Sequence, residues 1–491
     1  METKKNSKID CLSYLGVLLT AFVVSLQSNS NIFVYREQGV DSSVFQYVAK
    51  MMKLGFLPYK DTFDHKGPLL YLINVAGLSV NSKWGIWLVE LIFLSVTFIF
   101  MYKSFRLWSG RLLSLLTLLI SFSSFGDYMY GGNFTEEYSL PFIAVSLYIF
   151  LDYFKNDKID NLRLIVCGFS FGAVLLLRPN NAGLWPVMCL FVIIFCFIKK
   201  DLKPVVRFIC MFILGMCLIL LPIFIWLLYK GIFSDFIDCY IGFNMLYSES
   251  GLMTKLGGIK LFLSDIPVLL SVIICAFYVL KNKSIKAAGY IALILFDLLL
   301  ISLPSTLFSH YGIVIIPVIM CPYAVLLSKL KAEKMSLFTL LTVALAVFSV
   351  LTAFTPKALN VYKRAIYDLS HAGEEYYPET YEYIAGFSDY YTGNDDRVIY
   401  FGNIDRYYLL TDRLAASRFS YQTPIFDAAD QLGWPDEFFA ELDLNPPKLI
   451  AVSNSQDNIC DMDRMEDFLN AHEYALVLVT DEINMYVREI S

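Results

Sequence analysis

Twelve apolar stretches fill the first 356 residues, and the short connections between them are basic at alternate turns only. A helix needs roughly 20 apolar residues to cross about 30 Å of hydrocarbon. The segments 208–228 and 338–354 contain no charged residue. With 57% hydrophobic and 17% charged residues in 491, a water-soluble globule would leave too much apolar surface in water, so the chain reads as a multi-span membrane protein.

Spans are expected at 11–32, 84–104, 112–126, 138–153, 164–177, 183–198, 204–229, 263–280, 287–303, 310–328 and 336–356. A shorter apolar piece at 68–80 follows Pro68 and is expected to lie re-entrant or along the interface. Lys103, Arg106 and Arg111 fall in one connection, and Lys155, Lys158 and Arg163 in the next on that side. Lys199, Lys200 and Lys203, then Lys281, Lys283 and Lys286, then Lys329, Lys331 and Lys334 follow. The connections near 122–137 and 304–309 hold no Lys or Arg. Positive loops stay inside, which places the N-terminus in the cytoplasm and, after about eleven spans, residues 357–491 outside. Lys4, Lys5 and Lys8 precede the first apolar run, but Gln27-Ser28-Asn29-Ser30 offers no small-residue cleavage box, so an uncleaved first span is expected.

The expected domains are therefore a transmembrane domain, 1–356, with a long outer loop at 33–83, and an extracytoplasmic α/β domain, 357–491. In the latter, short apolar runs at 398–401, 449–452 and 475–479 alternate with amphipathic segments such as 462–471. A second outer loop, 230–262, carries Phe233, Phe236, Tyr240, Phe243 and Tyr247, a pattern suited to the membrane interface. Eight of the ten cysteines lie in expected spans, where a thiol behaves as a small hydrophobe. Cys239 and Cys460 lie outside at no motif spacing, so no disulfide or zinc framework is expected. No basic stripe interleaved with aromatics is present, so nucleic acid is not an expected partner.

Ionisable residues gather where outer loops meet span ends. The first loop contains Asp41, Asp61, Asp64, His65 and Lys66. Glu136 and Glu137 open one span, Arg178 lies in a turn between two others, and His310 opens the tenth. Each has a plain structural reading. Asp41 would cap a helix at 42–54, Lys66 and Arg178 would anchor in headgroups, the glutamates would complement a helix dipole, and His310 would bond a carbonyl. Their convergence on one face favours a site. Carboxylates beside Lys, Arg and His suit group transfer from a phosphate ester: cations neutralise the phosphate while a carboxylate takes the proton of the incoming hydroxyl. Arg supplies a planar fork and Lys a point charge. Asn133-Phe134-Thr135 fits a glycosylation sequon but hugs the membrane and is discounted.

Asp41 stands ahead of Gly55-Phe56-Leu57-Pro58-Tyr59-Lys60-Asp61 and Phe63-Asp64-His65-Lys66-Gly67-Pro68-Leu69. Together these residues resemble the first external loop of the GT-C glycosyltransferases, in particular bacterial relatives of the dolichyl-phosphate-mannose protein mannosyltransferases and the lipid A aminoarabinose transferases. Thr135-Glu136-Glu137, Leu177-Arg178-Pro179-Asn180 and His310-Tyr311 before Pro317 extend the resemblance. So do Val398-Ile399-Tyr400-Phe401-Gly402 and Ala416-Ser417-Arg418-Phe419.

The resemblance implies a polytopic helical enzyme of the bacterial plasma membrane. Its donor would be a polyprenyl-phosphate-linked sugar, and its acceptor a glycan, lipid or protein outside the cytoplasm. It implies Asp41 as catalytic base with inversion at the anomeric carbon, and Lys66, Arg178 and His310 as donor-phosphate ligands. Asp61, Asp64, His65, Glu136 and Glu137 would hold sugar or acceptor. Many relatives carry a second acid after the catalytic Asp, where this chain has Ser42, and Pro where it has Gly67. No cofactor is assigned, and a divalent metal ion is left open. The competing reading, a flippase of lipid-linked precursors, accounts for the spans. It predicts duplicated halves and polar groups at mid-membrane, neither of which the sequence shows.

Overall fold

The computed structural model describes residues 2–201, 203–247, 251–330, 337–377, 380–402, 404–428, 432–455 and 460–488, with only the backbone of 2–9 and 203. Lys331 and Lys334, expected on the basic side, lie outside the described residues. The chain is predominantly helical and divides into two compact units. The first comprises Met1–Phe33, Trp87–Ile223 and Ser250–Ala372. The second comprises Val34–Ile86, Phe224–Glu249 and Gly373–Ser491.

Helices fall within each expected span. Gly85–Arg106, Pro204–Tyr229, Ser309–Ser328 and Leu337–Ser370 are long and apolar enough to cross a membrane. Leu252–Leu263 and Ile266–Asn282 form a further span if taken together across their 85° bend. Leu214, Leu218, Leu221 and Ile225 on Pro204–Tyr229 are exposed, an apolar stripe of the kind a lipid-facing helix presents. Helices meet closely through glycine. A Cβ on Gly168 would stand 1.8 Å from the Phe212 carbonyl oxygen, and one on Gly215 2.0 Å from that of Ile165. The helices Asn161–Leu175 and Lys203–Tyr229 therefore touch backbone to backbone, as small residues allow in lipid.

Two expected spans differ in form. The first helix runs Glu2–Ser25 rather than to residue 32. Beyond it polar side chains satisfy a turn: Ser28 Oγ accepts from the Ser30 amide at 3.2 Å, and Asn31 Nδ2 donates to Asp368 at 2.7 Å. The segment 112–126 is two helices, Arg111–Ile120 and Phe122–Tyr128, meeting at Ser121. The Ser121 hydroxyl donates to the Leu118 carbonyl at 2.6 Å, a local bond that competes with the helix ladder.

The second unit contains the sheet. β1 (Tyr35–Arg36) pairs in parallel with β2 (Glu375–Tyr376). β3 (Arg397–Phe401), β4 (Leu414–Ala415), β5 (Leu449–Ser453), β6 (Tyr474–Val479) and β7 (Ile483–Arg488) form a five-stranded sheet in the order β4-β3-β5-β7-β6. β3 is parallel to β4 and β5, and β7 is antiparallel to β5 and β6. The buried runs Val398 to Phe401 and Leu449 to Val452 are the apolar stretches that marked strands in the sequence.

Of the long loop expected at 33–83, all but Phe33 belongs to this unit, and it forms two packed helices, Val40–Lys53 and Pro68–Val80. The second has 13 residues and so spans about 20 Å, short of a full bilayer crossing. Residues 224–249 also join this unit. Instead of lying along an interface, Phe236, Tyr240 and Phe243 are buried in it, because Tyr59, Phe63 and Trp434 offer ring partners. The boundary expected at 357 falls at the start of Pro356–Ser370, which lies in the first unit.

Candidate active site

Two clusters of ionisable groups form, one in each unit. In the second unit, the Val40–Lys53 helix starts two residues earlier than expected, with Gly39 as N-cap. Asp41 is therefore not the cap. It lies in the first helical turn, half-buried, and among the described residues its carboxylate accepts no hydrogen bond and joins no ion pair. The helix is tied to the sheet region by side chains. Arg406 pairs with Glu37 at 2.5 Å, the Tyr47 ring meets Tyr408 at 5.0 Å, and the Tyr47 hydroxyl accepts from the Ala415 amide at 2.8 Å.

The loop after this helix is built to present residues 64–66. Tyr59 adopts a left-handed backbone (φ 69°), held by its amide donating to the Thr62 carbonyl at 2.9 Å. Asp61 accepts from the Leu57 amide at 2.7 Å and so stabilises this turn. Arg418 donates to the Tyr59 carbonyl at 3.1 Å and forks onto Glu437 at 2.7 and 2.9 Å. Its own carbonyl accepts from the Phe63 amide at 2.7 Å. Gly67 caps the next helix and Pro68 starts it, which holds the chain extended just after Lys66.

Within that frame Asp64 is buried, accepting from the Tyr71 hydroxyl at 2.9 Å and the His65 amide at 2.7 Å. Burial raises its pKa, Lys66 and the Tyr71 hydroxyl oppose the shift, and the charge of Asp41 adds to it. Lys66 Nζ lies 2.5 Å from His65 Nε2. An ammonium can only donate, so Nε2 is the acceptor and the ring proton sits on Nδ1, which faces Asp64 at 3.7 Å. Lys66 Nζ also lies 5.8 Å from the ring of Phe45, one helical turn beyond Asp41. Asp41, Asp64, His65 and Lys66 thus form one cluster, while Asp61 serves the turn.

One member of this cluster escaped the sequence reading. Asp405 follows the carboxyl end of β3 and is buried, with both carboxylate oxygens unpartnered. Burial pushes its pKa up to about 8, Arg406 opposes this, and Asp41 adds to it. The Tyr421 phenol is likewise held well up by burial and by Asp41, Asp405 and Asp64. Position at the carboxyl end of a parallel strand was the available signal, since ligands of open α/β sheets gather there.

In the first unit, Arg178 pairs with Glu136, which also accepts from the Thr135 hydroxyl at 2.8 Å. The guanidinium carbon sits 3.9 Å from the centroid of the Tyr311 ring, and the His310 ring stacks on Phe134 at 4.3 Å. Arg178, Glu136 and His310 are thus one cluster. Glu137 turns to the other side: it accepts from the Asn133 amide at 3.0 Å and lies near the buried Glu90. Asn133 itself is buried and accepts from the Tyr138 hydroxyl at 2.8 Å. Among the described residues no group of three or more His, Cys, Asp or Glu side chains is placed to hold a metal ion.

No match was found among curated protein sequences. Among solved structures, the chain is similar to ArnT from Cupriavidus metallidurans in the apo state, at 13% identity and TM-score 0.60, covering 99% of this chain and 98% of ArnT. It is equally similar to the same protein bound to undecaprenyl phosphate, at 14% identity and TM-score 0.60, covering 97% and 98%. The resemblance to the GT-C glycosyltransferases holds at the level of fold. A family model adds a match that covers residues 2–352, taking in the helices Val40–Lys53 and Pro68–Val80 and every ionisable residue of the two clusters except Asp405 and the residues beyond it. By that match the chain belongs to the family of the competence-induced protein Ccs4 N-terminal domain.

Proposed function

We propose that this protein is an integral-membrane glycosyltransferase. It takes a sugar from a polyprenyl-phosphate donor and passes it to an acceptor hydroxyl on the outer face of a bacterial plasma membrane. The observation that carries this reading is an uncommitted carboxylate, Asp41, in one cluster with Lys66, both acting on the buried Asp64. The fold shared with a protein crystallised with undecaprenyl phosphate supports it.

Asp41 takes the proton of the acceptor hydroxyl as its oxygen attacks the anomeric carbon. The bond from that carbon to the phosphate oxygen breaks, and polyprenyl phosphate leaves with inversion at the sugar. Lys66 neutralises the charge that grows on the leaving phosphate, held in aim by His65 and, through it, by Asp64. Asp64 and His65 line the sugar side. In the first unit Glu136 fixes Arg178 beside His310, a cluster with the charge to hold a phosphate. Eleven spans, a cytoplasmic N-terminus and an outer 357–491 region complete the reading, with the acceptor drawn from glycans, lipids or proteins.

The test is release of free polyprenyl phosphate from a panel of polyprenyl-phosphate sugars by the protein in nanodiscs. Asp41→Asn is expected to abolish release while leaving donor binding within about two-fold, since the carboxylate acts mainly on the acceptor. Release undiminished in Asp41→Asn removes Asp41 from the mechanism.

A further inference from the structure

The first unit contains a cavity that the proposed chemistry does not use. It has a volume of about 540 Å3 and walls that are mainly apolar, including Phe191, Phe195 and Val325, with Lys155, Lys286 and Lys329 at one end. A smaller cavity of about 190 Å3 adjoins it and shares Tyr278, Asn282 and Lys329. This one is more polar, bringing Lys281, Thr339 and Thr342. The lysines come from connections that the sequence marks as basic, and no Asp or Glu lines either cavity.

The basic rim is built rather than incidental. Lys155 donates to the Leu107 carbonyl, and Lys286 donates to the Phe154 carbonyl at 3.2 Å, so both are held at the lining by backbone acceptors. Each ammonium keeps further donors for a ligand. Lys281 lies over the Phe277 and Phe338 rings, at 5.6 and 5.8 Å. A Cβ at Gly289 would stand 2.3 Å from the Phe191 ring, so the glycine lets that ring close the apolar wall.

We propose that this pair of cavities is a binding site for one anionic phospholipid. An acyl chain lies in the larger cavity, the phosphate sits between Lys281, Lys286 and Lys329, and the headgroup occupies the smaller one. Charge complementarity selects an anion: a recess with at least three ammonium groups and no carboxylate repels a cation and gives a zwitterion no partner for its positive end. The hydroxyls of Thr339 and Thr342 and the amide of Asn282 favour a headgroup that bears hydroxyls over a bare phosphate monoester. An apolar cavity open to a bilayer fills with chain rather than water.

Trp108 lines the larger cavity and reports on it directly. The full chain is reconstituted in phosphatidylcholine with increasing phosphatidylglycerol, one of the two lipids carrying brominated acyl chains. The fluorescence difference between wild type and Trp108→Phe isolates this residue. Saturable quenching by brominated phosphatidylglycerol, several-fold stronger than by brominated phosphatidylcholine at equal mole fraction, is expected. Lys281→Gln with Lys329→Gln should weaken it about ten-fold, as the loss of one to two charge-assisted contacts implies. Equal quenching by the two lipids means ordinary boundary lipid and overturns the proposal. So does displacement of phosphatidylglycerol by undecaprenyl phosphate at lower mole fraction, which would assign the site to the polyprenyl lipid. So does displacement by inorganic phosphate alone, which would leave the acyl cavity without a role. The wild-type comparison of the two lipids decides the matter even where the double variant fails to fold.

Discussion

Asp405 is costly where it stands. Its carboxyl ordinarily ionises near 3.8, but burial pushes it up to about 8 against the opposing effects of its own backbone amide and of Arg406. Between those values the folded chain holds one proton more than the unfolded chain. This group's contribution to stability is therefore at its best below pH 4 and is lost as pH rises through 8, with a slope of at most about 1.4 kcal/mol per pH unit. Asp405→Asn removes the slope, so the thermal midpoint of the variant should gain on wild type between pH 5 and pH 8; a constant gap would show that the carboxyl is solvated. Arg178 poses the opposite case. It is the partner of a buried Glu136, and Arg178→Ala strands that carboxylate at a cost of about 3–5 kcal/mol. Arg178→Lys restores the charge but not the planar fork over Tyr311, so only part of the loss in unfolding midpoint should return.

The contacts that set spacing between helices are glycines with specific neighbours. Gly168→Ala places a methyl group 1.8 Å from the Phe212 carbonyl oxygen, where neither backbone can move aside without parting the helices. A loss of about 1–3 kcal/mol or more is expected in detergent unfolding. Gly257 offers a control on the Leu252–Leu263 helix. A Cβ there meets nothing within 4 Å, so Gly257→Ala should stabilise, by up to about 1 kcal/mol from helix propensity. The loop carrying Lys66 depends on contacts far along the chain. Without Arg418 bridging Tyr59 to Glu437, residues 58–66 lose their anchor even though none of the cluster is altered.

For the whole molecule, the distribution of Lys and Arg is the basis of the proposed orientation. A cysteine introduced at exposed Asp463, on the Met462–Ala471 helix, should label from outside intact cells, and one at Lys283 only after the membrane is opened. Labelling of position 463 from the cytoplasmic side alone would invert the proposed orientation.

The sequence by itself determined the membrane class, because apolar runs of bilayer length have one physical solution. It also marked the strands Arg397–Phe401 and Leu449–Ser453, whose continuous apolar character matches burial in a sheet. It located Asp41, Asp64, His65 and Lys66 within one loop, because their spacing is local. Only the tertiary structure decided which of these touch. Asp61 accepts from the Leu57 amide and closes a turn, whereas Asp64, three positions on, is buried and accepts from the His65 amide. The tertiary structure alone brought Asp405, more than 360 positions away, to the helix carrying Asp41, and drew the aromatic 233–247 segment into a packed core. Both outcomes rest on contacts between distant segments, and hydrophobic periodicity records which face of a segment is buried, not what buries it.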